Sequence, residues 1–191
     1  RGGVPVAFQV AQTLKAPLDV LVVKKIGAPF DPEFGIGAIA PGGTVVLDQP
    51  TISALAVNKS TLDQLVELER WELERQQIEY RGSTDIPAVS GKIVILVDDG
   101  LATGVTAQAA IQALIAQNPT KIIVAVPVCS QEASSRLRSA IRSGIDDLVC
   151  LSMPSDFSSV GIWYRNFTQV TDEKVKGLLD KSKNWSDNYG R

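Results

Sequence analysis

Histidine is absent from the 191-residue chain. That removes Ser-His-Asp and Cys-His catalysis, which need an imidazole base, and the zinc motifs built on histidine. Cysteine is scarce. Cys129 and Cys150 are the only two, too few for a four-cysteine zinc site or a disulfide framework. Both lie in apolar runs and read as two reduced core thiols. A basic excess is missing too: 19 Lys and Arg face 21 Asp and Glu, for a formal net charge of -2. Nucleic acid is therefore not an expected partner. No apolar run approaches the ~18 residues of a membrane span, so a membrane is not expected either. No signal peptide is visible. The sequons at Asn58 and Asn166 then carry no expectation of glycosylation, and a reducing cytoplasm is the expected location. Met153 is the only methionine, and the chain opens with Arg1-Gly2-Gly3.

What is present is a folding composition, 45% hydrophobic and 21% charged. Such a chain buries enough apolar surface to offset its ordering entropy and fits a single domain spanning 1–191. Strand and helix patterns alternate. Helices are expected at Val4–Leu14, Lys59–Glu79, Val105–Gln117, Ser130–Arg142 (stopped by Gly144) and Thr171–Lys181. Leu62, Leu65, Leu68 and Trp71 would form the apolar edge of the second of these. Strands are expected at Leu18–Val23, within Gly35–Leu47 around a Pro41-Gly42-Gly43 turn, and at Lys92–Asp98, Lys121–Val128 and Asp147–Leu151. Gly27–Phe34 and Tyr80–Gly91 read as loops. The alternation implies an α/β fold with a mainly parallel sheet flanked by helices. Ligands of such sheets bind beyond the carboxyl ends of the strands.

The segment Val94–Thr106 reads V-I-L-V-D-D-G-L-A-T-G-V-T. An apolar strand ends in two acids, followed by a short Gly/Thr loop and a helix. The helix start offers unpaired N–H groups and a positive dipole end to a phosphate. Gly104 permits close backbone approach, and Thr103 and Thr106 add hydroxyls. Asp98 and Asp99 can accept hydrogen bonds from ribose hydroxyls or act through Mg²⁺. Together these describe a site for a ribose 5-phosphate. A Walker A loop is excluded, because G-x-x-x-x-G-K-[ST] does not occur. Gly35-x-Gly37-x-x-Ala40 fits a dinucleotide fingerprint in spelling only, since a proline-containing loop precedes it and Pro41-Gly42-Gly43 follows it.

Val94–Thr106 resembles the signature of the type I phosphoribosyltransferases, which bind 5-phosphoribosyl-1-pyrophosphate (PRPP). The resemblance implies that family's core, with a small irregular hood near 152–168 and a first core strand ahead of Arg1. It implies that Asp98 and Asp99 contact the ribose 2′ and 3′ hydroxyls and carry the catalytic role. Ala102, Thr103, Gly104, Val105 and Thr106 would hold the 5′-phosphate. Arg1-Gly2-Gly3 resembles the pyrophosphate loop, and V-V-K-K-I-G-A-P resembles the strand that places a basic side chain, here Lys25 ahead of Lys24, on the pyrophosphate. Tyr80–Thr84 stands where the family carries a mobile lid, with Arg81 as its pyrophosphate contact. Pro154–Phe167 resembles the hood of the purine enzymes, so that Phe157 would stack on the base and the Val160–Gly161 backbone would read its edge.

Ala102 stands where hypoxanthine–guanine enzymes carry aspartate, which turns the reading away from those bases. Val128, Cys129 and Ser130 stand where purine enzymes carry a base-contacting lysine. The implied function is transfer of phosphoribose from PRPP, with Mg²⁺ as cofactor, to a nitrogenous base, with pyrophosphate released. The implied partners are PRPP, a nucleobase acceptor and a second copy in a homodimer. Two alternatives are a PRPP-sensing regulator without catalysis and transfer to another acceptor or to water.

Overall fold

The computed structural model describes residues 1–140 and 146–186. In chain order they form α1 (Gly3–Leu14), β1 (Lys24–Ala28), β2 (Asp31–Ala40), β3 (Thr44–Leu47), α2 (Gln49–Ala54), α3 (Lys59–Arg81), β4 (Ile93–Val97), α4 (Val105–Ile115), β5 (Lys121–Val128), α5 (Gln131–Ala140), β6 (Asp147–Ser152) and α6 (Asp172–Ser186). Packing divides the chain into two compact units. One comprises Arg1–Val20, Gly91–Gly104 and Pro119–Arg191; the other comprises Leu21–Ser90 and Val105–Asn118.

The first unit is built on a parallel sheet in the order β4-β5-β6. Ile93 stands opposite Lys121 and Val97 opposite Ala125, while Val124 stands opposite Leu148. Side chains of a strand alternate between faces. In β5 the alternation is complete: Ile122, Val124, Val126 and Val128 are buried, and the residues between them are partly exposed. Helical spacing supplies the covering faces. Val4, Phe8 and Ala11 of α1 are buried, as are Ala133 and Leu137 of α5 and Val175 and Leu179 of α6, each set three or four residues apart. Helix α5 begins where Ser130 accepts the N–H of Ala133 at 2.9 Å, a side-chain cap. Its expected end at Arg142 and Gly144 lies outside the described residues.

The second unit holds an antiparallel meander, β1-β2-β3. Gly42 and Gly43 turn β2 into β3 with φ of 75° and 78°, the left-handed region that glycine enters without a Cβ penalty. Ile26, Ile36, Ile39, Ile52 and Leu73 form its core. Asn58 caps α3 by accepting the N–H of Thr61 at 2.9 Å.

Several expectations are corrected here. Leu18–Val23 forms no strand. Val20 and Val22 are buried, but burial does not supply a hydrogen-bonding partner, and pairing with β2 begins only at Lys24. Gly27–Phe34 is the tip of a hairpin rather than a loop. Its register shifts around Gly27, whose missing side chain leaves space for Pro32, as bulged ladders accommodate proline. Helix α2 was not expected. Helix α3 runs on through Tyr80 and Arg81 to a left-handed cap at Gly82. Leu68 and Trp71 are exposed, at 62% and 65%. A strict three-residue spacing falls back by roughly 60° per step on a helix of about 100° per residue, so Trp71 faces away from Leu62. Leu73, eleven residues after Leu62, returns to that face and is buried. Finally, Cys129 and Cys150 are joined in a disulfide with a Cα–Cα separation of 6.2 Å. One follows β5 and the other lies in β6, its neighbour, which brings residues 21 apart within bonding distance.

Candidate active site

At the carboxyl end of β4 the chain leaves the sheet through two carboxylates. The Asp98 N–H still donates to the Ala125 carbonyl at 3.3 Å. The Asp98 Oδ1 then accepts the N–H of Asp99 at 3.0 Å, which folds the acidic turn back on itself. The start of α1 lies against this turn. A Cβ on Gly3 would stand 2.7 Å from Asp98 Oδ1 and 2.9 Å from both the Asp98 Cα and the Val97 carbonyl oxygen. A Cβ on Gly2 would collide with Asp99 Oδ2. Two of the expected groups, Gly2-Gly3 and Asp98-Asp99, are thus in van der Waals contact, and only glycine fits.

Burial pushes the Asp98 carboxyl up to about 6, with the negative charge of Asp99 adding to the effect. Burial raises Asp99 as well. Taking carboxylates out of water disfavours their charged form.

The loop that follows is strapped to the end of β5. The Leu101 N–H donates to the Val128 carbonyl at 3.0 Å, and the Ser130 N–H donates to the Leu101 carbonyl at 2.9 Å. The Ser130 hydroxyl donates to the Ala102 carbonyl at 2.5 Å. Ala102 and Thr103 are exposed, and Gly104 turns the chain at φ 78°. Val105 and Thr106 are the first residues of α4, in the second unit, and Thr106 is exposed.

The segment 152–168 is irregular, as expected, with a single 3-10 turn at Gly161–Trp163. It approaches the acidic turn at two points. A Cβ on Gly100 would stand 2.7 Å from a Val160 methyl, and the Tyr164 hydroxyl donates to the Asp99 carbonyl at 2.5 Å. The Tyr164 ring lies against Phe167 with centroids 5.2 Å apart and planes inclined at 41°. Burial, then the charges of Asp99 and Asp98, raise the Tyr164 phenol above its ordinary value. Val160 and Gly161 are half-buried, as is Phe157 three residues earlier.

The expected cations are placed as follows. Arg1 pairs with Asp172 of α6 at 3.0 Å. In the second unit, Lys25 is exposed on β1, its stem beside Gly35. Lys24 stands 4.0 Å from both Glu69 and Glu72. Arg81, at the end of α3, donates to the carbonyl of Asp85, so it is part of a helix end.

Among the described residues no cluster of three or more His, Cys, Asp or Glu could hold a metal. The donor set is the Asp98–Asp99 pair. Mg²⁺ is commonly held by one or two carboxylates together with substrate phosphates. The pair fits a cation that arrives with a phosphorylated substrate, not a resident cage of protein ligands.

Two contributors were not foreseen. Ser130 was expected at the start of a helix, yet its hydroxyl also holds the loop at Ala102. Tyr164 lies within the Pro154–Phe167 segment that resembles the hood, but its partner is a backbone carbonyl 65 residues away, which no local spacing can reveal.

The family described as the phosphoribosyl transferase domain matches residues 1–162. That span takes in Gly2-Gly3, both aspartates, the loop after them and Val160-Gly161. The chain belongs to this family. Two curated relatives from strains of Mycobacterium tuberculosis, named "Putative phosphoribosyl transferase MT0597" and "Putative phosphoribosyl transferase Rv0571c", are each 41% identical to it over 182 residues. The match covers 95% of this chain and 40% of each relative, so the chain spans less than half the length of these proteins. A solved crystal structure, that of TT1426 from Thermus thermophilus, is 40% identical with a TM-score of 0.74, over 95% of this chain and 84% of that one. In this phosphoribosyl transferase domain, no helix among the described residues is long and apolar enough to cross a membrane.

Proposed function

We propose that the chain is a phosphoribosyltransferase that takes phosphoribose from PRPP, with Mg²⁺, and joins it to a nitrogenous base with release of pyrophosphate. The observation that carries this reading is the half-buried Asp98–Asp99 pair at the end of β4, with Gly2-Gly3 packed directly against it. Two carboxylates on one turn match the adjacent hydroxyls of a ribose. Burial disfavours their charge, and a ligand that brings hydroxyl donors and positive charge relieves that cost.

In the reaction the bond between ribose C1 and the pyrophosphate oxygen breaks, and its electron pair leaves with pyrophosphate. A nitrogen of the acceptor forms the new bond to C1, and the proton it loses passes to solvent or to the leaving group. Asp98 and Asp99 accept hydrogen bonds from the 2′ and 3′ hydroxyls and fix the sugar. The amides of Ala102–Gly104, with the Thr103 hydroxyl, hold the 5′-phosphate, and Val105 and Thr106 follow directly along the chain. The Gly2-Gly3 amides face the pyrophosphate. The Val160–Gly161 backbone and Phe157 face the base. The chain thus contributes orientation and fixed dipoles. When bound, Mg²⁺ supplies charge neutralisation to the pyrophosphate. The roles expected of Lys25 and Arg81 rest on the family resemblance alone.

Calorimetry with PRPP, with and without Mg²⁺, tests the reading beside an Asp98→Asn/Asp99→Asn double variant. Magnesium-dependent binding that the double variant loses is expected. Pyrophosphate release is then measured across a panel of bases. Binding with no release on any base would leave a PRPP sensor, and no binding at all would overturn the reading.

A further inference from the structure

The acidic turn is held from the hood side by a hydrogen bond that comes from a residue with no assigned role. The Tyr164 hydroxyl reaches the Asp99 carbonyl at 2.5 Å. That carbonyl has left the sheet, since β4 ends at Val97. The nearest ladder bonds are made by Asp98 N–H to Ala125 on one side and Leu101 N–H to Val128 on the other. Asp99 and Gly100 therefore bridge two anchored positions. The phenol is itself held in place. Its ring lies against Phe167, and the Phe167 ring closes on Gly161, where a Cβ would stand 2.8 Å from it. Val160, next to Gly161, in turn packs on Gly100. The hood and the acidic turn thus form one closed circuit of contacts: Asp99 to Tyr164, Tyr164 to Phe167, Phe167 to Gly161, and Val160 back to Gly100.

From this geometry we infer that Tyr164 is a positioning residue, whose hydroxyl fixes the Asp99 backbone so that the Asp98 and Asp99 carboxylates are set for the two ribose hydroxyls. The inference rests on the PRPP reading for its ligand, but not for the anchoring itself. A phenol is suited to this task. Its ring is rigid about two torsions and packs as an apolar body, while its hydroxyl reaches a polar partner. Losing the hydroxyl leaves the Asp99 carbonyl without this donor and loosens the turn between Asp98 and Leu101. Misplacement of a substrate-holding group by a fraction of an ångström is enough to weaken a bidentate contact.

The test is Tyr164→Phe, which keeps the ring and its contact with Phe167 and removes one oxygen. Three quantities are read. The first is amide hydrogen exchange across Val97–Ala102 in the unliganded protein. The second is the Kd of Mg²⁺ with PRPP. The third is the Kd of inorganic phosphate, a ligand with no ribose hydroxyls. The expected result is faster exchange in that segment with β5 unchanged, a PRPP Kd raised about 5- to 10-fold, and an unchanged phosphate Kd. General damage to the fold would weaken phosphate as well and would overturn the inference. So would a variant that binds PRPP as the parent does. Phe167→Leu, which removes the ring supporting Tyr164, must shift exchange and PRPP affinity in the same direction. If the parent protein does not bind PRPP, the functional reading fails, and the exchange measurement alone decides whether Tyr164 anchors the turn.

Discussion

The Ser130 hydroxyl donates to the Ala102 carbonyl at 2.5 Å while accepting the N–H of Ala133 at 2.9 Å. One oxygen thus starts helix α5 and ties down the loop expected to hold phosphate. Ser130→Ala removes both bonds. Loss of a cap costs about 1 kcal/mol, and loss of a second hydrogen bond adds about 1 kcal/mol more. A destabilisation of roughly 1–2 kcal/mol by denaturant titration is expected, together with a several-fold weaker affinity for inorganic phosphate. Equal loss of stability with unchanged phosphate affinity would leave Ser130 as a cap only.

Gly3→Ala should be harmful although it raises helix propensity. Alanine within a helix is favoured over glycine by about 1 kcal/mol. Against that, the new methyl would meet the Asp98 Cα and the Val97 carbonyl oxygen, both at 2.9 Å. These are backbone atoms of the strand end and cannot rotate aside. Overpacking of this kind typically costs about 1–3 kcal/mol, so the clash wins. A lower melting temperature and loss of PRPP binding are expected, since relief requires α1 to move off the acidic turn. A more stable Gly3→Ala protein would show that this contact is looser than described.

The contrast between Gly3 and Tyr164 marks what the sequence makes legible. The acidic pair was found because doubled acids after five apolar residues, followed by a Gly/Thr turn, is a contiguous chemical pattern. Strand β5 was found with both its ends because its unbroken apolar, mostly β-branched run from Ile122 to Val126 is local; which of its residues face the core, an alternation of burial, became visible only in the folded sheet. Leu18–Val23 misled because apolar composition specifies burial and not a ladder partner. Leu68 and Trp71 misled because a three-residue spacing drifts off the helical period. Tyr164–Asp99 and Cys129–Cys150 were illegible for a common reason: each joins residues far apart in sequence through a register that only the assembled sheet and hood define.

The disulfide predicts a redox-dependent stability. Cys129 is fully buried and Cys150 is partly exposed, so a reductant should reach the Cys150 sulfur first and displace Cys129 as thiolate. A closed loop of 21 residues corresponds to a stabilisation of about 3 kcal/mol, or roughly 6–12 °C in Tm for a chain of this size. Thermal melts with and without a dithiol reductant check this. Cys150→Ser should melt near the reduced parent under both conditions. Coincident melts of the oxidised and reduced parent would count against a bond between these cysteines.

Asp98 gives the unliganded protein a pH-dependent stability, to which the raised Asp99 adds in the same direction. The Asp98 carboxyl is raised from an ordinary 3.8 to about 6, first by burial and then by Asp99. Between those values the folded protein holds a proton that the unfolded chain has released. Stability therefore falls as pH rises through roughly 4 to 6, and above that range the folded state carries the cost of a partly desolvated charge. A shift of this size corresponds to a cost on the order of 2–3 kcal/mol. Asp98→Asn removes the ionisation. The variant should match or trail the parent at pH 4 and exceed its stability at pH 7.5 by about that amount, measured by chemical denaturation without Mg²⁺ or PRPP. PRPP affinity should respond oppositely, rising in the parent as Asp98 ionises and staying low in Asp98→Asn. A stability difference independent of pH would show that Asp98 is ionised throughout the range, and the charge cost assigned to the acidic turn would then be wrong.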